Sequence, residues 1–116
     1  MAFNVSGNTL TAILNQRSQA MLTANNWNVC QYAVLVHMMA QVSGLQAGEL
    51  VHVIADCHIY DRRIPAVKGM LEREGFPAPK FSMDESIPDF YAFPKDSFRM
   101  ENYQFHPYDF EIPMAI

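Results

Sequence analysis

Residues 49–60 read Glu-Leu-Val-His-Val-Ile-Ala-Asp-Cys-His-Ile-Tyr, and their alternation decides the fold class. In an extended chain successive side chains point to opposite faces. Val51, Val53, Ala55, Cys57 and Ile59 then share a wholly apolar face, while His52, Ile54, Asp56, His58 and Tyr60 share one that becomes polar toward its end. This pattern predicts a strand that holds a sheet together and presents chemistry at its last residues.

Just upstream, residues 28–43 have the period of a helix. Val29, Ala33, Val36 and Ala40 recur at helical spacing, and Leu35, Met38 and Met39 are apolar on the remaining faces. A helix apolar nearly all round is expected to be buried. Asn25 and Asn26 supply polar side chains to cap its start, and Gly44 stands where a C-terminal cap belongs. Earlier still, Phe3-Asn4-Val5, the turn formers Ser6-Gly7-Asn8, and residues 9–16 read as a β-hairpin. On its second arm Leu10, Ala12 and Leu14 share one face and Thr9, Thr11, Ile13, Asn15 and Arg17 the other, so this arm delivers Arg17 to a site.

Downstream, Asp61 is positioned to cap a second helix over residues 62–74, with Ile64, Val67, Met70 and Leu71 inward and Gly75 ending it. Pro77 and Pro79 break the chain. Residues 80–83 and 98–105 read as strands, with a short helix between them around 88–93. The expectation is an α+β fold: two main helices packed on a mixed or antiparallel sheet, in one domain over residues 1–116.

Composition limits the function classes. Of 116 residues half are hydrophobic and 17% charged, which excludes a disordered chain. Eight Lys and Arg against twelve Asp and Glu give a net charge of -4, which counts against a general nucleic-acid binder but not against a local pocket for one phosphate. No apolar run has the length of a membrane span, and the first residues lack a signal peptide's basic start and apolar stretch. Cys30 and Cys57 form no CxxC pair, which suits reduced thiols in a cytoplasmic protein.

Three constellations can carry chemistry. In Gln16-Arg17-Ser18 a guanidinium fork beside a hydroxyl suits a phosphate, although a strand-end arginine is more often only a solvated charge. Asp56, His58 and Tyr60 on one strand face suit a sugar hydroxyl, against the plainer reading of a half-solvated sheet face. His52, Asp56 and His58 match no recognised zinc spacing, so no metal is expected. Cys57 between Asp56 and His58 invites a Cys–His nucleophile, as in an unrelated small enzyme. Strand alternation puts Cys57 on the apolar face instead, and Cys30 falls inside the buried helix. Thiols buried in apolar surroundings stay protonated and inert, so no catalytic residue is assigned.

In this order the pieces resemble thymidylate synthase, over nearly the whole chain. The resemblance rests on Gln16-Arg17-Ser18, on Trp27-Asn28-Val29 leading into Tyr32-Ala33-Val34-Leu35-Val36-His37-Met38, on Asp56-Cys57-His58-Ile59-Tyr60, and on Ile112-Pro113-Met114-Ala115-Ile116. The family methylates deoxyuridylate with methylenetetrahydrofolate, which supplies both the one-carbon unit and the hydride. The resemblance implies that Arg17 and Ser18 hold the nucleotide phosphate, Asn28 the uracil edge, and His58 and Tyr60 the ribose hydroxyl. Asp56 would brace the same strand end, and Ile116 would close over the folate. It also implies pairing into a homodimer or higher oligomer through a large sheet.

Three departures qualify this. The family's nucleophile lies in a Pro-Cys-His segment ahead of the strand that opens this sequence, and these 116 residues do not contain it. Ala20 replaces an Asp that helps place the folate ring, which counts against folate binding. Ala24 stands where a glycine is usual. The expectation is therefore a truncated, carboxy-terminal form of the family that binds deoxyuridylate weakly, is inactive alone, and would need a missing amino-terminal fragment. The alternative is a non-catalytic nucleotide-binding or dimerisation module.

Overall fold

The computed structural model describes residues 1–107 and Ile112. The elements are β1 (Ala2–Ser6), β2 (Thr9–Ala20), α1 (Asn25–Val42), β3 (Gln46–His58), α2 (Ile64–Leu71), β4 (Lys80–Met83) and β5 (Phe98–Glu101). Short 3-10 turns cover Asp61–Arg63, Phe90–Ala92 and Lys95–Ser97. The class is α+β, as expected. The chain divides into two compact units, Met1–His58 with Glu85–Phe93, and Ile59–Asp84 with the segment from Pro94 onward.

In the first unit a mixed three-stranded sheet has the order β1-β2-β3. The hairpin pairs β1 and β2 antiparallel, from Ser6 opposite Thr9 to Ala2 opposite Ile13. α1 then carries the chain back, so β3 lies parallel to β2. Parallel neighbours need such a crossover, usually a helix. Leu10, Ala12 and Leu14 of β2 form the core with Val36 and Ala40 of α1.

Parity alone does not say which side of β3 faces this core, and the covered side is the mixed one. The register Ala12 to Leu50 and Leu14 to His52 puts Leu50, His52 and Ile54 on the side of the buried β2 residues, where they are half-buried. The wholly apolar side is open: Val51 and Val53 keep 42% and 48% exposure, and Ala55 and Cys57 are exposed as well. Burial of the two thiols is thus corrected, since Cys57 and Cys30 are both exposed.

α1 starts at Asn25 with Ala24 as its N-cap and no side-chain cap bond, so the expected Asn cap is absent. Its end is as expected. Gly44, at φ +68°, follows a Ser43 cap, with Leu45 N–H bonded to the Ala40 carbonyl at 2.8 Å and Gly44 N–H to that of Gln41 at 3.1 Å. This is the paired closure of a Schellman motif, which needs the left-handed conformation that glycine adopts freely.

Between Leu10 and Ala12 the register of β2 against β3 slips by one residue, so β3 carries a bulge at Gly48 and Glu49. A Cβ on Gly48 would lie 2.6 Å from Thr9 Cγ2, 2.9 Å from Thr11 Oγ1 and 3.0 Å from the Leu10 carbonyl. Gly48→Ala is expected to lower stability by about 1–3 kcal/mol, the usual range for overpacking. A urea titration checks it, and an unchanged midpoint would show that β2 gives way at no cost.

In the second unit β4 and β5 pair antiparallel, from Lys80 opposite Glu101 to Met83 opposite Phe98. β5 is shorter than expected because Asn102, at φ +58°, leaves the extended region. α2 is also shorter than its apolar period: a 3-10 turn occupies Asp61–Arg63, and Pro65 sits in the first turn of the helix. Among the described residues no helix is long and apolar enough to cross a membrane.

Candidate functional site

β2 and β3 end side by side, and their shared register brings the polar residues together. Ser18 stands opposite Asp56, and Ala20 opposite His58. Ser18 Oγ donates to Asp56 Oδ2 at 3.1 Å, and His58 Nδ1 lies 3.3 Å from the same oxygen. Asp56 therefore braces both neighbours. Met21 N–H bonds to the His58 carbonyl at 3.0 Å, which extends the pairing past the end of β2 and ties the loop before α1 to this edge. The carboxyl ends of parallel strands are where open α/β sheets bind ligands.

Arg17 is exposed, between Gln16 and Ser18 in β2. Among the described residues no carboxylate pairs with its guanidinium. Asn28 lies in the first turns of α1, where its N–H bonds to the Ala24 carbonyl at 3.0 Å. Its Nδ2 donates to Gln19 Oε1 at 2.9 Å. Tyr60 lies outside the strand that was expected to include it, and belongs to the second unit. Its carbonyl accepts from Arg63 N–H at 2.8 Å, which opens the 3-10 turn, and the Arg63 guanidinium stands 5.0 Å over its ring. Ile116 lies outside the described residues.

Three residues around Asn28 were given no site role by the sequence, although Gln16 belongs to the Gln16-Arg17-Ser18 motif and His52 to the discounted metal set. Gln16 donates to both the Ser18 carbonyl and Gln19 Oε1, and its own Oε1 faces His52 Nε2 at 2.9 Å. Among the described residues Gln19 is the most deeply buried large side chain, at 1% exposure. The polarity of residue 52 was visible in the strand alternation, but nothing in the sequence paired it with Gln16. A separate polar cleft of about 330 Å³ lies in the second unit, lined by Ser82, Met83, Asp84, Asp96, Ser97 and Arg99, and takes in none of the expected site residues. Among the described residues no group of three or more His, Cys, Asp or Glu could hold a metal ion.

Ala20, half-buried opposite His58, presents only a methyl group at this strand end.

The family model for thymidylate synthase matches residues 1–116. The thymidylate synthase of Bacillus mojavensis is 46% identical over 88 residues, which make up 76% of this chain and 32% of that protein. Thymidylate synthase 1 of Bacillus subtilis (strain 168) is 44% identical over the same length, with the same shares. The solved structure of thermostable thymidylate synthase A from Bacillus subtilis matches with a TM-score of 0.90 and 39% identity, over 95% of this chain and 40% of that one. The chain spans about a third of the length of these curated relatives.

Proposed function

Since the chain belongs to the thymidylate synthase family, we propose that it supplies the nucleotide-holding part of a cytoplasmic deoxyuridylate methyltransferase, binds deoxyuridylate weakly by itself, and does not turn it over alone. The observation that supports this most is the joined end of β2 and β3, where Ser18, Asp56 and His58 meet. Arg17 and Ser18 take the phosphate in this reading, with the Ser18 hydroxyl turning from Asp56 to the ligand. His58, held by Asp56, meets the ribose hydroxyl. Asn28 meets the uracil edge, since an amide both accepts and donates.

Turnover needs a thiolate to add at carbon 6 of uracil and activate carbon 5. The only sulfhydryls in these 116 residues are Cys30 and Cys57, and neither lies in a Pro-Cys-His segment. Coexpression with a fragment that carries that segment, with methylenetetrahydrofolate supplied, is expected to restore tritium release from labelled deoxyuridylate in Ala20→Asp, which returns the carboxylate that the resemblance assigns to the folate. Failure of that variant at high concentration of both halves removes the catalytic reading.

Arg17→Ala is expected to weaken deoxyuridylate binding by roughly 10- to 100-fold, the worth of one or two charge-assisted hydrogen bonds. Calorimetry in low salt at millimolar ligand measures this. No heat with the unmodified chain removes nucleotide binding and leaves the second reading, a dimerisation module. The open face of Ile13, Val51, Val53 and Cys57 favours that reading, because apolar patches of this kind are commonly covered by a partner.

A further inference from the structure

We infer that Gln19 is a positioning residue: its side-chain carbonyl fixes which end of the Asn28 amide is offered to the nucleotide. The inference rests on the nucleotide reading above and adds a residue to it.

One atom in this cluster has a role that cannot be exchanged. The Ser18 backbone carbonyl can only accept, so the end of Gln16 that bonds to it at 3.1 Å is the NH2 end. The same Nε2 meets Gln19, which must present its oxygen there, because two NH2 groups facing each other would repel. Asn28 meets that oxygen too, at 2.9 Å, so the atom it directs at Gln19 is Nδ2. On the other side Gln16 Oε1 accepts, so His52 Nε2 at 2.9 Å carries a proton. A run of amides that are individually ambiguous is thereby set in one direction from a single backbone carbonyl.

A second observation says that this orientation has a use. Gln19 Nε2 is buried and has no hydrogen-bond partner among the described residues. A buried NH2 without a partner is unfavourable, and an apolar side chain of equal length would avoid it. What Gln19 alone provides is the carbonyl that takes two donors. With Nδ2 engaged, Asn28 keeps Oδ1 as a free acceptor. A free acceptor suits the ring N–H of a uracil, flanked by carbonyls, and is mismatched to the bare ring nitrogen of a cytosine.

The test uses the full chain and reads the Asn28 side-chain amide directly by NMR hydrogen exchange. Gln19→Met, which keeps length and removes the acceptor, should speed Nδ2 exchange about tenfold, and Gln19→Glu, which keeps the acceptor, should leave it within about twofold. Should Gln19→Met fail to fold, Gln19→Asn, one methylene shorter, must show the same acceleration. Unchanged exchange in the folded variant overturns the inference. Binding provides the second readout: the preference for deoxyuridylate over deoxycytidylate should narrow about tenfold in Gln19→Met and persist in Gln19→Glu. An equal loss of affinity for both nucleotides would mark Gln19 as merely structural and overturn it too. If the unmodified chain binds neither nucleotide, the nucleotide reading falls on its own, while exchange at Asn28 still decides whether Gln19 orients it.

Discussion

Leu14→Ala is expected to lower the unfolding free energy by about 3 kcal/mol, within the 2–5 kcal/mol typical of buried leucines. Leu14 keeps 5% of its surface exposed and sits at the centre of a small core with Leu10, Ala12, Val36 and Ala40. No other apolar side chain among the described residues is as deeply buried, so each member carries a large share of the transfer free energy. A single domain of this size is stable by about 5–15 kcal/mol in total. A urea slope of about 2 kcal/mol/M turns the loss into a fall of roughly 1.5 M in midpoint. Leu71→Ala, at an 80% exposed position of α2, is the control and should stay within about 0.5 kcal/mol. Equal midpoints for the two variants would mean that the β2–α1 core does not hold the first unit together.

Val53→Arg is expected to abolish self-association. In the second reading, the dimerisation module, the open face of β2 and β3 meets a second copy of the chain, and Val53, between Val51 and Ala55, lies in the middle of its β3 row. A guanidinium at that position would be buried on pairing without a partner, at an effective cost of several kcal/mol. Residues at the centre of an interface dominate its affinity. Sedimentation should show the unmodified chain above its monomer mass of 13.2 kDa and the variant at that mass. An unmodified chain that sediments as a monomer at tens of micromolar removes the dimerisation reading.

Much of the fold could be read from residues with strong local rules. The turn formers at 6–8 and the glycine at 44 end elements where the structure ends them, and β4 matches its expected bounds of 80 and 83. Elements that depend on competing local bonds were less legible. Tyr60 continues the alternation of β3, yet its carbonyl is captured by the Arg63 N–H and the strand stops at His58. Alternation sorts the side chains of β3 into two sets but cannot say which set α1 covers. Hydrophobicity here points the wrong way, because the more apolar set is the open one. The grouping of Asp56 with His58 followed from parity alone. Ser18 joins them only through the parallel register with β2, and the amide run from His52 to Asn28 depends on side-chain reach, for which no periodic signal exists.

The extra residue at Gly48 acts as a phase shifter for everything beyond it. Before it, partners in the two strands differ by 37 in number, as Leu10 and Ala47 do; after it they differ by 38, as Ala12 and Leu50 do. Held at the first offset, Ser18 would face Ala55 rather than Asp56, and the serine–carboxylate–imidazole contact would not form. Deleting one residue of the kink would straighten β3 and leave the pairs beyond it as they are. Keeping the first offset with no residue removed would instead turn β3 over about its long axis, sending the valines inward and moving the carboxylate and imidazole to the far side.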